Sequence, residues 1–347
     1  GIMLGVATLI IVMAVMNGFR KELFDKILGL NGHVVINKIG LPFEDYEEVT
    51  SRISAIPGVK HAFPLIEGQV MISSQAQALG ALVRGLREAD INKLEFVSGR
   101  VRDGSFDGFD GKEAVAIGLR MANALRVNVG DNVSLVAPRG AQTPFGTAPR
   151  IKRYAVAAIF ELGMSEYDRT IIFMPLPEAQ KYFNSQGQAS VIEVIVDNAE
   201  KVADYKPLMQ AAGGDTIHLT DWRERNSSFF TVLEVERNVM FIILSLIVLV
   251  AALNIISGLM MLVKDKGRDI AILRTMGATK GAVMRVFLIT GASIGVVGTL
   301  AGLIMGVVFC WNIESVRQFV QWLSGTKVFD PSVYYLTTMP ASLDVRE

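Results

Sequence analysis

Gly291-Ala-Ser293-Ile-Gly295 has the GxSxG spacing of a serine nucleophile, in which the glycines allow a sharp elbow that offers the hydroxyl to a histidine base. That chemistry needs a strand-to-helix turn, and here the serine stands inside an uncharged apolar run. Gly277-Ala-Thr-Lys280 lacks the GxxxxGK[ST] spacing by which backbone amides and a lysine cradle phosphates, so the chain is not expected to bind ATP itself. The histidines, His33, His61 and His218, are isolated, with no HExxH or Cys/His pattern, which points to structural roles rather than metal ligation. Asn132-Val-Ser134 and Asn226-Ser-Ser228 are glycosylation sequons by pattern only. The residues thus predict no catalytic, cofactor-binding or metal site, and the chain reads as a non-enzyme.

The elements that would hold such groups explain why. Hydrophobic residues make up 51% of the 347, yet 34 Lys and Arg balance 34 Asp and Glu, so apolar and charged segments must be separated along the chain. Residues 239–263 and 286–313 are uncharged and longer than the ~20 residues that cross a bilayer core, and they read as the second and third transmembrane helices. Residues 1–16 give about 15 apolar positions, roughly 22 Å of helix, and read as a first membrane helix truncated at its start. The loop 264–285 carries Lys264, Lys266, Arg268, Arg274, Lys280 and Arg285, and such loops stay in the cytoplasm. Residues 17–220, and 314–347, then lie on the outer side, with a fourth helix expected beyond the last residue. The only cysteine, Cys310, lies in an apolar run, so the outer domain must be held by its core alone.

Within that domain, Val59–Ser73 and Ala78–Leu86 read as paired strands following a helix at Phe43–Ile56, the start of a split βαβ unit. Ser190–Val196, Ala199–Ala212 and Thr216–Leu219 repeat the strand and helix pattern. Between them, strands at Ala114–Gly118, Asn132–Ala137, Lys152–Phe160 and Arg169–Met174 predict a second, mostly β subdomain. The fold class is therefore an α+β domain of two subdomains, split βαβ-like plus mostly β, inserted between the first and second helices of an α-helical transmembrane bundle. Residues 221–238 read as a stalk helix, capped by Asp221, that runs unbroken into the membrane.

Three features could carry function. In the basic loop Ile270, Leu273 and Met276 form an apolar stripe at helical spacing, with Gly277 placed to end the helix and Thr279 to start the next. Such a helix lies on lipid headgroups or inserts into a groove on a cytoplasmic protein, and the second explains more in a chain without an energy source. Pro138–Arg150 forms a hairpin loop whose Thr143-Pro144-Phe145-Gly146 tip suits a type I turn. Phe145 either folds back or dips into the membrane surface, or makes a partner contact flanked by Arg139 and Arg150; the residues leave both open. Gly291, Gly295, Gly298, Gly302 and Gly306 include GxxxG spacings that admit a closely packed helix.

"GVATLIIVMAVMNGF" (Gly5–Phe19), "RDIAILRTMGAT" (Arg268–Thr279) and the "TPFG" hairpin with "FELGMSEYD" (Phe160–Asp168) resemble the membrane permease subunit of bacterial lipoprotein-releasing ABC transporters, the LolC/LolE type, within the macrolide-export and cell-division permease superfamily. The resemblance covers essentially the whole chain. It implies an inner-membrane, multi-pass permease with a large periplasmic domain. A cytoplasmic ABC ATPase homodimer would use ATP and Mg and grip Arg268, Ile270, Leu273, Arg274 and Met276. It also implies a second permease subunit, membrane lipid and lipoprotein substrates as partners, and no nucleic acid. A periplasmic lipoprotein carrier would meet the hairpin at Arg139, Pro144, Phe145, Gly146 and Arg150. Met13, Met16, Phe229 and Met240 are substrate-cavity candidates by position. A macrolide-export-type efflux permease, or a non-transporting cell-division type that activates a cell-wall hydrolase, are the alternatives.

Overall fold

The computed structural model describes residues 1–40, 42–143 and 146–324. In chain order the elements are α1 (Ile2–Leu30), β1 (Val34–Lys38), α2 (Tyr46–Ser54), β2 (Val59–Ser73), β3 (Ala78–Leu86), α3 (Glu88–Lys93), α4 (Glu95–Ser98), β4 (Val101–Gly104), β5 (Ala114–Gly118) and α5 (Leu119–Leu125). There follow β6 (Asn132–Thr143), β7 (Gly146–Phe160), α6 (Tyr167–Thr170), β8 (Ile171–Pro175), α7 (Leu176–Tyr182), β9 (Val191–Val196), α8 (Val202–Gly213), β10 (Ile217–Asp221) and α9 (Trp222–Arg225). The last are α10 (Ser227–Asp265), α11 (Gly267–Thr275), α12 (Lys280–Trp311) and α13 (Ile313–Ser324). The chain divides into two compact units, residues 24–227 and, among the described residues, 1–23 with 228–324.

Residues 24–227 are built on a sheet of order β10-β1-β9-β2-β3-β8-β5-β7-β4, with β6 paired to β2 and β7. The two ends of the domain pair: β1 lies antiparallel between β10 and β9. The strands of the two predicted subdomains hydrogen-bond in one sheet. The 15-residue β2 pairs with β9 through Val59–Leu65 and with β3 through Ile66–Ser73, so one strand belongs to both halves. In the central strands every residue of β5 and β8 is buried, so both sheet faces carry a core there. Ile66, Ile117 and Ile172 join one core, and their chain neighbours Leu65, Ala116 and Phe173 join the other.

The second unit contains three helices apolar and long enough to cross a membrane: Ile2–Lys21, Asn238–Asp265 and Lys280–Trp311. Ile2, Val6 and Ile10 of α1 meet Gly298, Gly302 and Gly306 of α12, an i→i+4 row of branched side chains laid on an i→i+4 row of glycines. The numbers rise together, so α1 and α12 run parallel. A Cβ on Gly302 would come within 2.6 Å of the Met3 carbonyl oxygen, which is why only glycine fits. Gly1 and Gly5 meet Asn254 and Ile247, so α10 runs antiparallel to α1. Gly291 meets Leu259 of α10, but a Cβ on Gly295 would meet nothing within 4 Å among the described residues.

Several boundaries differ from the sequence reading. The first helix does not stop at residue 16 but continues to Leu30: residues 17–30 contain no proline, and good helix formers such as Lys21, Glu22, Leu23, Lys26 and Leu28 carry it past Gly18 and Gly29, which cost about 1 kcal/mol each. The stalk is not continuous: Asp221 caps only α9, and the chain leaves helical geometry at Asn226 (φ −109°, ψ 28°) before α10 begins. The third membrane helix ends at Trp311, where Asn312 breaks it with its side-chain amide donating to the Val308 carbonyl, 2.9 Å.

Candidate functional site

The basic loop folds as its residue types dictate. Lys266 is the N-cap of α11 and its ammonium pairs with Asp269 at 3.2 Å, an exposed i,i+3 contact worth a few tenths of a kcal/mol, ~0.3. Met276 closes the helix, and Gly277 turns the chain at φ +100°, a conformation that favours glycine. Thr279 caps α12 by accepting from the Ala282 N–H. Between these caps Ile272, Leu273 and Met276 stand 58%, 51% and 79% exposed, with Arg268 and Arg274 exposed and Ile270 half-buried. Ile272 is absent from the predicted stripe; it falls between the i, i+3 positions, and its exposure is visible only in three dimensions. A short capped helix with exposed apolar and basic side chains suits insertion into a groove.

In the hairpin, Thr143 pairs with Gly146, so a two-residue connection joins β6 to β7. Pro144, Phe145 and the side chain of Arg139 lie outside the described residues. Arg150 is not presented as a free flank: its guanidinium donates to the carbonyls of Lys181 and Tyr182 at the end of α7. Sequence reasoning missed the hairpin's root. Met71, Val136 and Ile151 are cross-strand neighbours on β2, β6 and β7, and Gly80 of β3 continues the row. Paired residues share a face, and this one is open: Met71 is 45% and Ile151 64% exposed, whereas Ile72 and Leu135 of the adjacent row are fully buried. Beside the row, Lys152 bridges Glu178 at 2.7 Å and Glu113 at 3.1 Å. Glu178 also accepts from the Tyr154 hydroxyl at 2.9 Å; burial and this carboxylate push the Tyr154 phenol far above its usual range.

The domain also holds a buried charge cluster that no local motif announces. Arg84 of β3 is 1% exposed; it donates to the Leu30 carbonyl at 3.0 Å and pairs with Glu193 of β9 at 2.5 Å and Glu67 of β2 at 3.3 Å. Glu193 also accepts from the Gly32 N–H at 3.0 Å and faces Arg225 of α9 at 3.6 Å. Burial acts to lower the Arg84 pKa, but the two carboxylates outweigh it and hold it above its ordinary value. Burial pushes the Glu67 carboxyl up against the pull of Arg84. A cavity of about 240 Å³ adjoins the cluster, lined by Asn31, Glu67, Arg84, Tyr167, Trp222 and Arg225 among others. The Asn31 amide donates to the Tyr167 hydroxyl at 3.0 Å, and Phe24 of α1 meets Trp222 edge-on at 5.5 Å.

The "FELGMSEYD" segment has a structural explanation. Asp168 is buried and accepts from the N–H groups of Leu162 (2.7 Å) and Gly163 (3.2 Å), closing the segment into a loop; burial raises its pKa in spite of these donors. Met13, Met16 and Met240 are half-buried on α1 and α10, and the Phe229 side chain lies outside the described residues. A groove of about 450 Å³ in the helical unit is lined not by these but by Met3, Asn254, Leu259, Gly291 and Gly298 among others.

Comparison with known proteins agrees with this arrangement. The MacB-like periplasmic core domain family matches residues 1–212, and the FtsX-like permease C-terminal family matches residues 241–342. The lipoprotein-releasing system transmembrane protein LolC of Xylella fastidiosa is 34% identical over 99% of this chain and 83% of its own length. LolC of Neisseria meningitidis is 32% identical, over 99% of this chain and 84% of its own. LolE of Haemophilus influenzae is 26% identical, over 99% and 83%. With three helices apolar and long enough to cross a membrane, an α+β domain, and this likeness along almost its full length, the chain belongs to the LolC/LolE family of permease subunits of lipoprotein-releasing ABC transporters.

Proposed function

We propose that the chain works in the bacterial inner membrane, crossing it with α1, α10 and α12, and extracts lipidated proteins from the outer leaflet for delivery to a periplasmic carrier. The observation that carries this is the likeness to lipoprotein-releasing transmembrane proteins over nearly the whole chain. ATP and Mg are used by a separate cytoplasmic ATPase pair, which receives α11 in a groove through Ile272, Leu273, Arg274 and Met276. A second permease subunit completes the complex. The hairpin and the apolar row at its root form the carrier's landing surface, with Phe145 at the tip. External energy is needed: at ~0.8 kcal/mol per buried CH₂, removing several acyl chains from a bilayer costs tens of kcal/mol before a carrier pocket offsets it.

A photo-crosslinking residue at position 145 of the full-length protein in living cells tests the reading. Capture of a small soluble lipoprotein carrier, identified by mass spectrometry, is the expected outcome. Capture of an efflux adaptor or a cell-wall hydrolase would overturn the lipoprotein assignment while leaving the permease fold intact.

A further inference from the structure

The helix α13 has no part in the function described so far. Its sequence is sharply two-sided: at 100° per residue, Glu314, Arg317, Gln318, Gln321 and Ser324 fall within one sector, and Ile313, Val316, Phe319, Val320, Trp322 and Leu323 within the opposite one. Ile313 is buried, while Phe319 and Trp322 are 60% and 78% exposed, their rings 6.1 Å apart. On the polar side Glu314 pairs with Arg317 and accepts from Gln318, so the charges cancel within one turn.

Continuity identifies what covers the apolar face. The helix begins one residue after α12, whose side chains approaching that end, Ile304 (61%), Val308 (50%) and Trp311 (78%), are apolar and exposed. A helix that starts where a membrane span stops is held at the depth of the headgroups, where Trp settles, and Trp and Phe line the apolar face of helices that lie there. Asn312 makes the break between them: its backbone N–H and its side-chain amide both donate to the Val308 carbonyl, at 3.2 and 2.9 Å. We infer that α13 is a lipid-surface helix. Phe319 and Trp322 enter the headgroup and acyl boundary of the leaflet at the C-terminal end of α12, and the Glu314–Arg317 side faces water. Because its charges cancel, its attachment rests on apolar burial rather than on anionic lipid.

The test uses full-length protein in phosphatidylcholine nanodiscs, with Cys310→Ala and a single nitroxide attached at Phe319→Cys, Trp322→Cys, Gln318→Cys or Glu314→Cys. Collision rates with oxygen and with a water-soluble nickel chelate are compared at each site. Expected is faster collision with oxygen at 319 and 322, reversed at 314 and 318. Faster nickel collision at all four places the helix in water and overturns the proposal. Protection of 319 and 322 from both reagents overturns it too, and means that a protein surface covers them. Should one apolar-face variant fail to fold, the other gives the same reading.

Discussion

Arg84 and Leu30 meet through one hydrogen bond, guanidinium to carbonyl at 3.0 Å, and that carbonyl ends the helix α1. The same guanidinium holds Glu193, which on its other side faces Arg225 of α9. The two segments by which the domain's chain continues toward apolar helices are thus tied to one buried carboxylate. Replacing Glu193 with Gln leaves a buried cation short of its partner and is expected to cost about 3–5 kcal/mol. Arg84→Met combined with Glu193→Leu removes the two fully buried charges and leaves Glu67 and Arg225, which are partly exposed, to be hydrated, so it should recover part of that loss. Urea unfolding of the detergent-solubilised protein checks both, and a double variant no better than the single would refute the pairing argument.

In α11, Leu273→Asp, Ile272→Asp and Arg274→Glu each place the wrong chemistry on an exposed helix without touching a core. Loss of one anchor in a groove costs about 2 kcal/mol, ~30-fold in affinity. Co-purification of the ATPase with each variant measures the effect. Retention of full binding by all three would remove α11 from the interface.

At the hairpin root, Met71→Glu and Ile151→Glu should leave the fold unchanged, since both side chains are exposed, but reduce crosslinking of the carrier from position 145. Ile72→Glu, one residue along β2, buries a charge instead and should unfold the domain, because Ile72 is fully buried. Pulldown yield against thermal midpoint separates the two effects.

His33 is buried, and its Nδ1 accepts from the Val196 N–H at 3.2 Å. Burial, aided by Lys60, pushes its pKa below the ordinary 6.5. Between those values the unfolded chain binds a proton that the folded one refuses, so stability is full above pH 6.5 and falls as pH drops through 6.5 toward the folded value. His33→Asn keeps an acceptor without titrating there. It should flatten the pH dependence of amide exchange in β9 between about pH 7 and 5.

On α12, Gly302→Val is expected to separate α1 from α12, because even a Cβ would press on the Met3 backbone. Gly295→Ala should be tolerated, as nothing stands within 4 Å. The thermal midpoint of the detergent-solubilised protein distinguishes them: a fall for the first and little change for the second.

Most strands were legible because their neighbours announce them: Ser-Ser-Gln between β2 and β3, and the Val-Gly-Asp turn before β6, punctuate runs of β-branched residues. Residues 87–113 gave no signal, since α3, α4 and β4 are shorter than two turns or a typical strand. The single sheet was hidden for a different reason: β2 pairs β9 more than a hundred residues away, and register at that distance leaves no local trace. The motif residues of α11 were readable from helical spacing and caps. The Arg84 cluster was not, because Leu30, Glu67, Arg84, Glu193 and Arg225 come together only when β2, β3 and β9 align.

The shared strand β2 has a mechanical meaning. Its 15 residues span roughly 50 Å at ~3.3 Å each, and they run from the β9 pairing at Val59–Leu65, past Glu67 in the charge cluster, to Met71 and Ser73 under the hairpin. With neighbours hydrogen-bonded along its length it is a stiff beam, so Glu67 in the charge cluster and Met71 in the apolar row, about 13 Å apart at ~3.3 Å per residue, share one support and keep a fixed spacing.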